Sequence, residues 1–218
     1  RCPRTIIFNE DQVLYEGQLY LVSEYVSGGS LSSRLGQLEW PEISEILQDV
    51  LTGLARVHGR GIVHLDLKPE NILFADRGAV IADFGIAKAQ GASGHDLTGH
   101  AIFGTPNFMA PEQGVSYRHL YGPWTDLYSV GCLTYSLITG RPIYECDNLI
   151  DVLLAHRMEP IPKLEGTFAV PDGLDLWLVR MLDKSWNERF HRASEALRYL
   201  RALGDTVPDL SDAPRVHS

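Results

Sequence analysis

The chain has 218 residues, of which 44% are hydrophobic, and 28 acidic against 19 basic side chains give a formal net charge of -9. This length and composition fit one compact globular domain, and the acidic balance disfavours a nucleic-acid partner. The longest apolar runs, 43–54 and 130–138, contain polar residues and fall short of the roughly 18 residues needed to span a bilayer. We therefore expect no membrane contact from this segment.

Three cysteines, Cys2, Cys132 and Cys146, form no CxxC pair and are odd in number, which argues against a disulfide framework and a structural zinc site. A reducing cytoplasm is the expected location. No basic region followed by an apolar core opens the sequence, and its first residue is an arginine. We expect the chain to be cut from something longer.

The first predicted elements are two extended runs at 5–8 and 19–26, separated by the polar residues 9–11, which we interpret as an antiparallel pair. Glycine and serine at 27–30 end the extended pattern. From 41 to 58 the apolar residues recur with helical spacing. This spacing predicts an amphipathic helix with one buried face.

Two short β-rich runs follow at 72–74 and 80–82, and a stretch rich in Gly, Ser, Thr and His at 86–108 shows no sustained period. The second half predicts helices at 125–139, 148–157, 172–183 and 192–203, of which the first is nearly all apolar and should be central. Residues 204–218 have the composition of a flexible tail or linker. The predicted fold class is α+β, mainly α.

Three motifs carry the functional signal, and they follow one another directly after the long predicted helix. The first is HLDLKPEN at 64–71, the second is DFG at 83–85, and the third is GTP at 104–106 followed by APE at 110–112. In this order and context they resemble the catalytic loop, the magnesium-binding segment and the end of the activation segment of eukaryotic-type serine/threonine protein kinases. The resemblance runs from about residue 5 to residue 203.

This resemblance implies a kinase C-terminal lobe over 27–203, preceded over 1–26 by a remnant of the small-lobe strands and the hinge. It also implies an enzyme that transfers the γ-phosphate of ATP, with Mg²⁺ as cofactor, to Ser/Thr hydroxyls of protein substrates. Phosphoryl transfer of this kind requires a positioned nucleophile, bound metal ions and neutralised charge.

The resemblance assigns these roles to the candidate catalytic residues Asp66, Lys68 and Asn71. Asp66 accepts or orients the proton of the attacking hydroxyl, and Lys68 lies near the transferred phosphate as a compact positive charge. Asn71 and Asp83 are the expected magnesium ligands, because hard oxygen donors suit this cation. His64 is expected to be a packed, hydrogen-bonded histidine rather than a base.

Nucleotide contacts are expected along the hinge. By the same resemblance, the backbone at Glu24 and Val26 binds adenine, and Ser23 occupies the gatekeeper position. Leu73 forms the apolar floor under the purine. Ser30 lies where the family often contacts ribose or peptide.

Three further residues are expected to have structural roles. Glu112 and Arg189 form a buried ion pair that anchors the activation segment, and Asp126 accepts hydrogen bonds from the catalytic-loop backbone. Leu65 occupies a position where the family usually carries arginine, which removes a clamp for a phosphate on the activation loop. Phosphorylation of Thr98 is therefore not expected to act as a strict switch.

Residues 1–26 contain no glycine-rich phosphate loop, no strand lysine and no helix glutamate, so part of the nucleotide site is expected from a small lobe or regulatory domain outside the chain. Two hypotheses remain. The sequence belongs to an active kinase of which it is a fragment, or it is a catalytically silent lobe that acts as a binding or scaffold module. The charged set at 66, 68, 71 and 83 favours the first, because a scaffold has no physical need for it.

Overall fold

The computed structural model describes residues 6, 9–15, 18–84, 105–114, 118–166 and 168–203. Helices dominate these residues, which confirms the mainly helical α+β class. The strands are β1 (Asn9–Tyr15), β2 (Gln18–Ser23), β3 (Ile72–Ala75) and β4 (Gly78–Ile81), and the α-helices are α1 (Trp40–His58), α2 (Pro123–Thr139), α3 (Leu149–Met158), α4 (Leu174–Met181) and α5 (Ala193–Arg201).

The first sheet is the antiparallel hairpin of β1 and β2, whose register pairs Tyr15 with Gln18 and Asn9 with Ser23. The first strand therefore lies further along the chain than the predicted run at 5–8, and it includes polar residues that were expected to separate the strands. Of that run, Ile6 instead forms an isolated parallel bridge with β4, and 5, 7 and 8 lie outside the described residues. Backbone groups make the ladder bonds, so polar side chains do not prevent pairing.

The second sheet is the tight hairpin of β3 and β4, in which Ala75 pairs with Gly78. Gly78 has a φ of 121°, and a Cβ at this position would collide with the carboxylate of Asp49 on α1. That carboxylate accepts the Ala79 N–H at 2.9 Å. Glycine is thus required where the hairpin meets α1, and this contact fixes the position of both strands.

The core lies among the helices, with α1 packed against α2 and α5, and α2 packed against α4. As predicted, α2 is central: nearly every side chain between Thr125 and Ile138 is buried, including Cys132. Proline at the start of α2 and Gly140, with a φ of 73°, just after its end are typical helix boundaries. No helix in the described part of the chain has the length and apolar character to cross a bilayer.

The remaining predicted helices agree with the structure to within about two residues at each end, the usual uncertainty of helix boundaries. Most of the irregular stretch predicted at 86–108 lies outside the described residues, as does the tail at 204–218. The described remainder of that stretch is Thr105 and the one-turn 3-10 helix Pro106–Phe108.

Candidate active site

The buried carboxylate of Asp126 fixes the backbone at the start of the predicted catalytic loop. Its Oδ2 accepts the His64 N–H at 2.8 Å and contacts His58 Nε2 at 2.8 Å, while its Oδ1 accepts the Leu65 N–H at 2.8 Å. Burial alone would raise the pKa of this carboxyl, but the hydrogen bonds from the His58 ring and from the His64 backbone N–H hold the pKa below its usual value. The predicted role of Asp126 is confirmed.

His64 connects the catalytic loop to the end of β4. The side chain is buried, its Nε2 lies 2.9 Å from the Ala82 carbonyl oxygen, and its Nδ1 accepts the Asp66 N–H at 3.3 Å. Because Nδ1 accepts, the ring proton is assigned to Nε2, which donates to Ala82. The ring also meets the Phe84 ring edge to face at a centroid distance of 4.8 Å. His64 is the packed, hydrogen-bonded residue that was predicted.

Asp66 and Lys68 form the solvent-facing charged pair of the site. Lys68 Nζ lies 3.4 Å from Asp66 Oδ2, and the two side chains are 25% and 27% exposed. The second carboxylate oxygen of Asp66, Oδ1, accepts the Thr105 N–H at 3.1 Å. The Asp66 carboxylate is therefore oriented from two sides while it stays accessible to a ligand.

The β3–β4 hairpin brings Asn71 and Asp83 together at its open end. Asn71 directly precedes β3, and its carbonyl oxygen accepts the Ala82 N–H at 2.9 Å, one residue before Asp83. The buried Asn71 side chain donates from Nδ2 to the Asp66 carbonyl oxygen at 2.8 Å. Asp83 is exposed, with a φ of 55° in the left-handed region that a non-glycine residue rarely adopts.

The donor atoms of Asn71 and Asp83 suit Mg²⁺. Asn71 uses Nδ2 within the protein, which leaves its amide oxygen as the donor for a cation, and Asp83 offers an exposed carboxylate. Among the described residues, no group of three or more His, Cys, Asp or Glu side chains is arranged to hold a metal. Two oxygen ligands at an open position fit a cation that takes the rest of its octahedron from water and phosphate oxygens.

Two of the residues expected to contact adenine, Val26 and Leu73, lie at the β3–β4 hairpin. Half-buried Val26 and Leu73 pack against the buried pair Val80 and Ala82, a small apolar surface of the kind that accepts a purine face. Ser30 forms an antiparallel bridge with Leu73, which holds the hinge against β3.

Two other predicted nucleotide residues, Ser23 and Glu24, are exposed at the end of β2. They take no part in the hydrogen bonds described above that join 66, 68, 71 and 82. In the described part of the chain the site thus consists of two clusters. One is the polar cluster of Asp66, Lys68 and Asn71, and the other is the apolar cluster around Leu73. They are joined through β3, because Asn71 precedes this strand and Leu73 lies in it.

Glu112 and Arg189 form the predicted buried ion pair. Arg189 Nη1 donates to Glu112 Oε1 and Nη2 donates to Oε2, both at 2.9 Å, and Thr125 Oγ1 donates to the same Oε1 at 2.9 Å. Arg189 Nε also donates to the Asp183 carbonyl oxygen at 2.7 Å. This network ties the segment 105–114 to the start of α2 and to the loop before α5.

Two site residues were missed by sequence reasoning. His58 ends α1 and contacts Asp126, and Gln113 contacts both the catalytic loop and its own segment. Neither had a sequence signal, because Asp126 lies 68 residues from His58 and Leu65 lies 48 residues from Gln113, and only the packing of the chain brings them close.

A family model described as a protein kinase domain matches residues 4–199. The chain is similar to serine/threonine-protein kinase Pkn1 of Myxococcus xanthus, with 37% identity over 180 residues that cover 78% of this chain and 25% of that protein. It is also similar to serine/threonine-protein kinase PknB of Mycolicibacterium smegmatis, with 33% identity over 207 residues, 90% of this chain and 33% of that protein.

A third relative is the probable serine/threonine-protein kinase PknB of Lactococcus lactis, with 30% identity over 188 residues, 84% of this chain and 30% of that protein. The chain therefore spans between a quarter and a third of the length of these curated relatives.

Proposed function

This chain belongs to the protein kinase family, and from that membership and its site we propose that it transfers the γ-phosphate of Mg-ATP to serine and threonine hydroxyls of proteins. The observation that carries the proposal is the oriented carboxylate of Asp66. It accepts the Thr105 N–H, pairs with Lys68, and lies beside Asn71 at the edge of solvent.

In the proposed reaction Asp66 orients the substrate hydroxyl and accepts its proton as the oxygen attacks the γ-phosphorus. Lys68, 3.4 Å from Asp66, lies where its ammonium can balance the negative charge of the transferred group. When bound, Mg-ATP supplies the phosphoryl group and ADP is the leaving group. Asn71 and Asp83 would hold the metal through their oxygens, and Val26 and Leu73 would contact the adenine.

Serine and threonine are the proposed acceptors because Lys68 and Thr105 follow the serine/threonine pattern, and both contact Asp66. The three relatives described above carry the same substrate class in their names. We further propose a cytoplasmic site of action, which the free thiols of Cys132 and Cys146 support. Protein substrates and a small lobe or regulatory domain are the proposed partners.

The alternative is a catalytically silent lobe that acts as a binding or scaffold module. It predicts partner binding that is independent of Asp66. We disfavour it because Asp66, Lys68 and the buried Asn71 form a connected polar group whose charged pair reaches solvent, and a scaffold gains nothing from such a group.

The test compares Asp66→Asn with Asp76→Asn in the natural full-length protein that contains this sequence. Asp76 is a matched control, because it is an exposed aspartate in the turn between β3 and β4. Transfer of phosphate to a generic serine/threonine peptide should fall about 10²- to 10⁴-fold in Asp66→Asn and stay unchanged in the control. ATP binding, followed by calorimetry, should be nearly unchanged in both.

Phosphate transfer by Asp66→Asn within about threefold of the wild-type rate would show that Asp66 is not the group that acts on the hydroxyl. A wild-type protein that binds ATP but transfers no phosphate to any serine or threonine peptide would favour the silent module.

A further inference from the structure

One side-chain amide, that of Gln113, bridges two backbone segments of the site. Gln113 lies in the one-turn 3-10 helix Pro111–Gly114 and is half-buried. Its Nε2 donates to the Leu65 carbonyl oxygen at 2.8 Å, and its Oε1 accepts the Ala110 N–H at 3.0 Å. Both ends of the amide are therefore used, one on the catalytic loop and one on the segment 105–114.

The contact on the catalytic loop falls on a residue whose backbone is strained. Leu65 has a φ of 66°, in the left-handed region that costs a non-glycine residue energy unless surrounding contacts hold it there. Asp126 holds its N–H from one side and Gln113 holds its carbonyl oxygen from the other. Side chains from two separate elements thus define the orientation of this residue.

The Leu65 carbonyl belongs to the peptide plane that leads directly into Asp66. A rotation of this plane would move the Asp66 N–H away from His64 Nδ1, which accepts it at 3.3 Å. It would also turn the Asp66 carboxylate relative to the Thr105 N–H. The bond from Gln113 therefore acts on the proposed base through the backbone, without touching it.

The second contact acts on the segment that holds the Asp66 carboxylate through the Thr105 N–H. The Ala110 N–H, held by Gln113, lies five residues after Thr105, so the segment is connected to the catalytic loop directly at Thr105 and through the Gln113 side chain at Ala110. Resting on the kinase activity proposed above, we propose that Gln113 is a positioning residue that couples the segment 105–110 to the catalytic loop and so sets the geometry between Asp66 and the acceptor hydroxyl.

The test uses Gln113→Met and Gln113→Glu in the natural full-length protein. Methionine keeps the length of the side chain and removes both hydrogen bonds. Glutamate keeps an acceptor for the Ala110 N–H but sets a carboxylate oxygen against the Leu65 carbonyl oxygen. Gln48→Met is the matched control, because Gln48 also uses both ends of its amide, to Ser44 and Arg201, but does so between α1 and α5.

For both Gln113 variants, kcat on a serine/threonine peptide should fall about 10- to 100-fold, as expected when reacting groups are misplaced by a fraction of an ångström to an ångström. The KM for ATP should stay within about twofold, because Val26 and Leu73, the residues proposed to contact adenine, are held by the hinge and the β3–β4 hairpin rather than by Gln113. A residue with only a structural role would not lower kcat while leaving the KM for ATP unchanged. Gln48→Met should retain wild-type kcat.

The inference is overturned if either folded Gln113 variant keeps kcat within about twofold of wild type, or if the loss appears in the KM for ATP instead. Loss of the native fold in both variants would also overturn it, since a positioning role predicts folded proteins. These outcomes are distinct from failure of the proposed function, in which wild type itself would show no transfer that depends on Asp66.

Discussion

The two sides of the candidate site are held by different kinds of interaction. On the catalytic side, the fully buried charged side chains of Asp126 and Arg189 make the contacts. Asp126 accepts the His64 N–H and Arg189 donates to Glu112, and each partner lies more than 60 residues away along the chain. On the nucleotide side, the hinge is held by a bridge from Ser30 to Leu73 and by the Phe74 N–H, which donates to the Gly29 carbonyl oxygen at 3.0 Å. The catalytic geometry is thus a property of the helical core, whereas the adenine edge depends on backbone contacts between the hinge and one short strand.

The largest effect on the catalytic side should come from Arg189→Met. This change leaves the Glu112 carboxylate buried without its bidentate partner, which should lower the free energy of unfolding by about 3–5 kcal/mol. Urea unfolding followed by circular dichroism measures it. Glu195→Gln is the control, because it breaks the more exposed Arg180–Glu195 pair, 3.4 Å apart, and should cost about 1 kcal/mol or less. Equal losses in the two variants would contradict the comparison.

A smaller loss is expected from Asp126→Asn. The amide keeps the shape of the side chain but loses the charge and one of the two acceptor oxygens, so one of the bonds to the 64–65 backbone or to His58 is lost. We expect the free energy of unfolding to fall by about 2–3 kcal/mol. Asp172→Asn, at an exposed position, should leave the free energy of unfolding almost unchanged. A similar loss in this variant would show that the hydrogen bonds of Asp126 do not stabilise the fold.

The third test is the pH dependence of the free energy of unfolding that comes from His156, which lies next to the segment 105–108. Burial of His156, together with the nearby charge of Lys184, lowers the pKa of His156 to about 3. Below about pH 6.5 His156 becomes protonated in the unfolded chain, whereas in the folded protein it stays neutral down to about pH 3. Stability should therefore fall as the pH drops through this window, with a slope of up to about 1.4 kcal/mol per pH unit from this group.

His156→Asn removes the titrating ring and should flatten the pH dependence of unfolding between pH 6.5 and the lowest pH at which both proteins fold. Denaturant unfolding at a series of pH values measures the two slopes. Parallel curves for wild type and variant would show that His156 is not held neutral by its surroundings.

The smallest effect on stability should come from the nucleotide side. Ser23 is exposed at the end of β2, so Ser23→Phe should change the free energy of unfolding by less than about 0.5 kcal/mol. It should still weaken ligands that carry an added aromatic group at this edge of adenine, by about 1–3 kcal/mol through steric overlap, while it spares ATP. Equal binding of such a ligand by both forms would place Ser23 away from the nucleotide.

The same division governs how much could be predicted from the sequence. The apolar spacing at 41–58 predicted α1 well, because a helix that packs on one face has apolar residues at helical spacing along that face. The Glu112–Arg189 pair was predicted from the family pattern alone. β1 was misplaced because its ladder uses backbone groups, and Asn9 and Asp11 lack the alternation that marks a half-buried strand.

His58 and Gln113 could not be predicted for a different reason. Their partners, Asp126 and Leu65, lie 68 and 48 residues away, and only the packing of α1, α2 and the segment 105–114 sets those distances. No short-range rule of sequence spacing contains this information.

The burial of Cys132 at the centre of α2 makes its thiol a reporter of core opening. The side chain has no exposed surface and burial raises the pKa of the thiol, so a reagent that requires the thiolate reacts with it only after the helices separate. Cys146 is exposed and reacts in the folded protein. In a variant that keeps Cys132 as its single cysteine, labelling in native buffer at reagent concentrations high enough to outpace closing therefore gives the rate at which this part of the core opens, without any denaturant.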